Sequence, residues 1–359
     1  MRVLAFGTYD RAYPRNAQVL SALRGAGAEV VEQHRAAWDP QTNWSLGARQ
    51  ALRVARAELS LLRAPDLAAD VVLVGYPGHF DLLAARRAAR GRPVVFNPLV
   101  SLHDTLVGDR GRFRPGSPAA RLLERVDRFA FRSADLVVAD TEAHAAWIRD
   151  RFDLPHDRVA VCLVGAEDRL FVPGGAGTDR GASFHVLFVG KLIPLHGIDV
   201  VLAAARLLPG VAFHVVGTGQ LDLLLAGRPD NVAWTPWLDP SALPDAYRGA
   251  GCALGIFAPT AKASRVIPNK VFQALACGAV VVTGDTPAAR ELLTDGLDSL
   301  LVPAGDPEGL ARAIQHLAGD PSLRARLGAA GRETYERHAS EAVLGRRWLG
   351  LLERVAAGR

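Results

Sequence analysis

The stretch "VLFVGKLIPLHGIDVVLAAARLL" (residues 186–208) decides the fold class. It opens on a short, unbroken apolar run. A loop with Lys191 follows, and then apolar residues at helical spacing. So short a run, bounded by glycine, reads as a strand buried on both faces, and "IDVVLAAARLL" (198–208) reads as the helix that follows it.

Outward from this unit the same rhythm repeats. On the N-terminal side the expected strands are Val3–Phe6, Val30–Gln33, Val71–Gly75, Val94–Asn97, Leu136–Ala139 and Val159–Val161. The helices between them are Asn16–Arg24, Leu46–Leu62, Asp81–Arg90, Ala119–Arg132 and Glu142–Arg151. Strand 184–190 is followed by strands within 212–219, 231–237, 252–257, 279–284 and 299–303. Helices are expected at about 269–277, 287–294 and 307–318, with a last helical run from about Leu323 to the C-terminus. Such alternation predicts parallel sheets with helices on both faces. The glycine-rich "PGGAGTDRGAS" (173–183) separates the two series as a linker. The expected architecture is α/β, with two doubly wound, Rossmann-like domains. The first covers 1–165, the second 166–335, and a helix at 336–359 is expected to pack back on the first.

The chain has 359 residues and a formal charge of +5, most of it from arginine. That balance suits an anionic partner, but there is no nucleic-acid-binding signature. No apolar run is long enough to span a bilayer, and the first residues lack the features of a secretory leader. Cys162, Cys252 and Cys277 follow no metal or redox spacing. These features predict a cytoplasmic protein.

In doubly wound sheets ligands lie beyond the carboxyl ends of the strands, so the loops there are the candidates. "FGTYDRAYPRN" (6–16) offers Gly7, Thr8 and Tyr9. It reads either as a tight strand–helix turn or as a wall contacting substrate, and it is not a dinucleotide fingerprint. "NPLVSLHDTL" (97–106) carries His103 and Asp104, where an imidazole can bond a sugar hydroxyl or pass a proton. Lys191 sits where a phosphate could meet a helix N-terminus, or where a solvated lysine could equally stand. Gly217 and Gly219 in "VVGTGQL" (215–221) are as compatible with a turn as with a nucleotide contact.

The stretch "RVIPNKVFQALACGAVVVTG" (265–284) is the most informative of these. Pro268 keeps the chain extended and Asn269 is a good N-cap. Lys270 then falls at the positive end of a helix, which is unfavourable by about 0.3–1 kcal/mol. A diphosphate bound there would turn that cost into an attraction, clamped between Lys191 and Lys270.

In order, "VLFVGKLIPLHGIDVVLAAARLL", "VVGTGQL", "IPNKVFQALACGAVVVTG" and "RELLTDGLDSLLVPAGDPEGLARAI", preceded by "VGAEDRLFVP" (164–173), resemble the retaining glycosyltransferases of family 4 over nearly the whole chain. The resemblance is to the branch with a Pro-x-Lys before the donor-site helix. It implies the GT-B fold, a nucleotide-diphosphate sugar bound by the C-terminal domain, a carbohydrate or lipid-linked acceptor bound by the N-terminal domain, and no required metal or cofactor. It assigns Lys191 to a phosphate, His103 to the donor sugar, Gly7 to the loop beside the phosphates, and Gln273 to the ribose. It places Thr8, Gly217, Gly219, Arg265, Asn269 and Lys270 with the donor, and Tyr9 and Asp104 with the acceptor. There are departures from the pattern. The second phosphate lysine is His196 here, and the first glutamate of the two-glutamate motif falls near Arg265, where no carboxylate stands. Lys262 and Arg265 could meet a phosphate or an acidic sugar, or simply be solvated.

The expected reaction is sugar transfer with retention. The alternatives are a nucleotide-sugar epimerase of the same fold and a non-catalytic nucleotide-binding subunit. Residues 110–133 hold seven arginines and two acids in an amphipathic pattern. That pattern fits either a solvated exterior or peripheral contact with an anionic membrane.

Overall fold

The computed structural model of the protein describes residues 1–38, 48–174 and 184–358. Most of the linker read at 173–183 lies outside them. The chain divides into two compact units, one formed by Met1–Leu163 with Glu341–Arg359 and the other by Val164–Ser340.

In the first unit the elements are β1 (Arg2–Gly7), α1 (Pro14–Gly25), β2 (Glu29–His34), α2 (Ala48–Leu62), β3 (Val71–Val74), α3 (Leu82–Ala89), β4 (Val94–Phe96), α4 (Pro118–Ser133), β5 (Leu136–Ala139), α5 (Glu142–Phe152) and β6 (Val159–Val161). The strands pair in parallel in the order β2-β1-β3-β4-β5-β6. Alternate residues of each strand face opposite sides of a pleated sheet, and β1 shows this directly. Leu4 and Phe6 join a core with residues of α2, α3, α4 and α5. Val3 and Ala5 join a second core with α1 and the C-terminal segment.

The second unit holds β7 (His185–Val189), α6 (Ile198–Leu207), β8 (Ala212–Val216), β9 (Val232–Thr235), α7 (Leu243–Gly249), β10 (Cys252–Leu254), α8 (Asn269–Ala276), β11 (Val281–Asp285), α9 (Pro287–Arg290), β12 (Leu300–Pro303), α10 (Pro307–Gly319) and α11 (Pro321–His338). Its strands are also parallel, ordered β12-β11-β10-β7-β8-β9. One face is covered by α6, α10 and the start of α11.

The single helical run expected from Leu323 onward is two helices. It breaks after His338, and α12 (Glu341–Ala356) belongs to the first unit. Trp348 of α12 is 1% exposed and packs with Val19 and Leu23 of α1. The helices approach so closely that a Cβ on Gly345 would lie 2.3 Å from the Ala22 carbonyl oxygen. Helix α7 escaped the sequence reading because seven residues are too few to show a 3.6-residue period. The three cysteines are buried free thiols. Among the described residues no helix is long and apolar enough to cross a membrane.

Candidate functional site

Each sheet has a point where its strand order reverses: between β1 and β3 in the first unit, and between β7 and β10 in the second. Loops at the carboxyl ends of the strands flank a crevice at such a point, and ligands of doubly wound folds bind there.

In the second unit, β7 is followed at once by Gly190 (φ +147°) and β8 by Gly217 (φ +130°). The loops that follow run against each other. A Cβ on Gly217 would sit 2.1 Å from the Gly190 carbonyl oxygen, and one on Gly219 2.5 Å from that of Leu192. Gly190 N–H donates to Val216 O at 2.9 Å and Leu192 N–H to Thr218 O at 3.0 Å. Gly217 and Gly219 are therefore demanded by backbone approach, whatever they contact in addition.

Lys270 comes from the first turn of α8, which follows the loop after β10. Only 6% of it is exposed, and its Nζ lies 3.6 Å from the centre of the Phe188 ring. A Cβ on Gly190 would be 2.9 Å from Nζ and 3.2 Å from Cε1 of His196. The side chain that Gly190 lacks thus leaves the room where this amine and imidazole converge. Among the described residues Nζ has no hydrogen-bond partner. Burial alone pushes its pKa well below the usual lysine range. A buried amine without a hydrogen-bond partner is costly, and the aromatic face offsets part of that cost.

His196 is itself buried, and its Nδ1 lies 2.6 Å from the Lys191 carbonyl oxygen. A carbonyl can only accept, so Nδ1 carries the proton. The Lys191 side chain is exposed just after β7. Arg265 and Lys262 are half-buried around the short helix Ala263–Arg265 that precedes α8. Asn269 is not the cap expected of it. Pro268 holds the extended cap position, and Asn269 is the first helical residue, because the proline's fixed backbone ends the incoming strand-like segment. Gln273 accepts a hydrogen bond from the Tyr247 hydroxyl at 3.2 Å, and its amide nitrogen makes no bond among the described residues.

The first unit's crevice is differently filled. A Cβ on Gly7 (φ +127°) would strike Oδ2 of Asp81 at 2.0 Å. Asp81, fully buried ahead of α3, accepts from Thr8 N–H and Thr8 Oγ1, both at 2.8 Å. Trp38 Nε1 donates to that same hydroxyl at 3.1 Å. Glu58 of α2 lies against Asp81, and burial with this neighbour pushes its carboxyl up to about 10, so it keeps its proton and shares it. Thr8, expected beside the donor, is thus 1% exposed and fully engaged inside the unit. Tyr9, expected on the acceptor side, is turned into the core, 2% exposed with its hydroxyl donating to Glu32 at 2.7 Å.

His103 and Asp104 follow β4, where a turn of π-helix spans Asp104–Asp109. The backbone before it is held from α4. Asp127, fully buried, accepts from Ser101 Oγ (2.6 Å), Leu102 N–H (3.0 Å) and His103 N–H (2.9 Å). His79 Nε2 stands 3.5 Å from the same carboxylate. The His103 ring is half-buried and makes no hydrogen bond among the described residues.

Sequence reasoning missed Gly190, Asp81 and Asp127. It also passed over a signal in plain view: the chain has only three lysines, Lys191, Lys262 and Lys270, and all three lie in the loops around the second unit's crevice or on the helix that follows. Among the described residues no cluster of His, Cys, Asp or Glu is placed to hold a metal ion.

Residues 1–165 match the family model described as "Glycosyl transferase 4-like domain", and residues 183–320 match "Glycosyl transferases group 1". The chain is 32% identical over 235 residues to the D-inositol 3-phosphate glycosyltransferase of Acidothermus cellulolyticus, covering 58% of this chain and 51% of that protein. It is 28% identical over 232 residues to the lipopolysaccharide core biosynthesis glycosyltransferase LpsE of Rhizobium meliloti, covering 62% and 65%. The chain therefore spans between half and two thirds of these curated relatives. Among solved structures, sucrose-phosphate synthase from Thermosynechococcus elongatus superposes with a TM-score of 0.76 at 17% identity, over 100% of both chains. Anabaena HepE in complex with UDP-glucose superposes with 0.71 at 16% identity, over 98% of this chain and 99% of that one. At such identities the two structures speak for the fold alone.

Proposed function

The chain belongs to the group 1 glycosyltransferases and has their two Rossmann-like domains of GT-B type, and on that premise we propose that it moves a sugar from a nucleotide-diphosphate sugar to a hydroxyl of an acceptor. The bond between the anomeric carbon and the diphosphate oxygen breaks, and a bond from that carbon to the acceptor oxygen forms. The acceptor's proton leaves with the diphosphate. The family resemblance favours retention at the anomeric carbon. The relatives named for inositol 3-phosphate and for lipopolysaccharide core favour a carbohydrate acceptor, either a small phosphorylated polyol or a lipid-linked glycan.

One observation carries this reading: the buried, unpartnered Nζ of Lys270 at the end of β7, beside Gly190 and His196. In the transition state negative charge gathers on the departing diphosphate, and a fixed cation there lowers the barrier. The N-terminus of α8 adds its partial positive charge. Lys191 and the Nε2 of His196 are the nearest further contacts for the phosphates, and the amide of Gln273 has donors to spare for the nucleoside. His103, with its backbone pinned by Asp127, is assigned to the sugar in this reading by the family resemblance, and Asp104 to the acceptor. The chemistry needs no cofactor beyond the nucleotide sugar.

A thermal-shift screen of nucleoside diphosphates and nucleotide sugars tests the donor class. A ligand that binds only the folded state raises Tm with concentration. Stabilisation by a nucleoside diphosphate that vanishes in Lys270→Met supports the reading. Equal stabilisation of both proteins removes Lys270 from it. Incubating the donor without acceptor, with analysis of the recovered sugar, separates transfer from epimerisation.

A further inference from the structure

The layer of helices over one face of the first sheet has an outer surface that neither sugar nor nucleotide chemistry explains. Helices α2, α3 and α4 lie side by side there, α2 against α3 and α3 against α4. On α2, Leu52, Arg56 and Leu59 recur at helical spacing along the exposed side, Arg63 stands exposed just past its end, and the two leucines are each 51% exposed. On α3, Leu83 is 59% exposed beside Arg86 and Arg87. On α4, Leu122 (60%) and Phe129 (49%) stand among Arg121, Arg125 and Arg128. Five of the eleven large apolar side chains exposed among the described residues thus lie on this one surface.

The three acids on these helices do not neutralise it. Glu58 is turned inward to Asp81, Glu124 is paired with Arg151 at 2.6 Å, and Asp127 is buried under the His103 loop. By contrast the guanidinium groups of Arg53, Arg56, Arg63, Arg121 and Arg125 form no hydrogen bond or ion pair among the described residues. At the C-terminal end of α2 an open groove of about 440 Å³ is lined by Arg35, Arg56 and Arg63 together with Leu59 and Pro65. That is a recess of guanidinium groups with an apolar rim, of a size for a phosphate headgroup.

We propose that the outer face of the α2–α3–α4 layer docks on a bilayer containing anionic phospholipid. The arginines sit at headgroup level and the leucines and phenylalanine enter the boundary of the acyl chains. A second copy of the chain fits this surface poorly. A two-fold contact would set uncompensated arginines against arginines. A polynucleotide would use the arginines and leave the apolar side chains against water. The proposal stands independently of the sugar-transfer reading, because none of these residues lies at either crevice.

The test is flotation of the full chain with vesicles of neutral phosphatidylcholine, and of phosphatidylcholine with about 30% anionic phospholipid, at low and high salt, in the absence of any nucleotide. The expected result is binding to the anionic vesicles only, weakened by salt. Each arginine near such a surface is worth about 1 kcal/mol, so Arg53→Glu/Arg56→Glu should lower partitioning at least about twenty-fold. Leu122→Glu/Phe129→Glu should lower it more than about ten-fold. Arg346→Glu/Arg354→Glu on α12, over the opposite face of the same sheet, carries an equal charge change and should shift binding far less. Circular dichroism and melting of each variant confirm that it is folded. No binding by the wild type, equal binding to neutral vesicles, or an equal loss in the α12 control would each overturn the proposal. So would a dimer by light scattering that Leu122→Glu/Phe129→Glu converts to monomer without any vesicle binding, which would make the face a contact between copies.

Discussion

The two units solve the same geometric problem with opposite charges. In each, a glycine stands at or just after the end of a strand at the reversal point, and the space of its missing side chain is taken by an ionisable group from the far side of the crevice. At Gly7 it is the carboxylate of Asp81, and at Gly190 it is the amine of Lys270. Asp81 is met by the Thr8 amide and hydroxyl and by the proton that Glu58 keeps. Lys270 is met by an aromatic face and by no hydrogen-bonding atom. A closed network is finished structure. An open one of the same build is, under the proposed function, where the donor's diphosphate completes the set. The contrast also explains why lysine stands there in a chain that otherwise uses arginine. A lysine can give up its proton while its partner is absent, whereas a guanidinium cannot.

The sharpest way to break the contrast is to open the closed side. Asp127 is another buried, satisfied acid of the first unit, and Asp127→Ala leaves buried donors on Ser101, Leu102 and His103 without an acceptor. We expect a loss of about 3–5 kcal/mol in stability by denaturant titration, together with reduced transfer. Rescue of the kcat by Asp127→Glu, with KM little changed, would mark the residue as one that positions His103. Lys270→Met should do the reverse. Transfer should fall about 10²–10³-fold in kcat, while Tm stays level or rises because a buried amine without a partner has been removed. A variant that loses stability and keeps its turnover would invert the comparison.

A smaller effect tests the amine's proton. Burial depresses the folded pKa of Lys270, and under the proposed function a bound diphosphate would raise it again. Affinity for a nucleoside diphosphate should be full below that lowered pKa and weaken about ten-fold per pH unit above it, until the bound-state value is reached. Calorimetry in buffers of different ionisation enthalpy should register proton uptake on binding. For the unliganded protein the sign is opposite. The unfolded chain holds the proton more tightly, so this residue's contribution makes stability rise with pH between the depressed value and the ordinary one. The smallest effect concerns the support of Gln273. Tyr247→Phe removes one hydrogen bond to its carboxamide and should cost about 1 kcal/mol.

Much of the fold could be read from the chain, because a parallel sheet writes itself as short apolar runs between helices. Every strand of both units appeared in its place and order. The candidate site was legible only in part. A lysine at a helix start is visible as a local conflict, so Lys270 stood out. Gly190 did not, since its role rests on what passes over it from a residue eighty positions away. Asp81 and Asp127 look like helix-surface acids in sequence, and only the packing shows that each is buried against a loop from another strand. Tyr9 misled for the same reason: a residue in a loop after a strand can turn inward as easily as out.

The excursion of α12 into the first unit has a consequence for biosynthesis. Trp348 and its neighbours on α12 complete the core under α1, yet they leave the ribosome only after the whole second unit has been made. The contiguous Val164–Ser340 region can close on itself as soon as it emerges. The portion translated first must wait, with the flank of α1 bare, for the portion translated last.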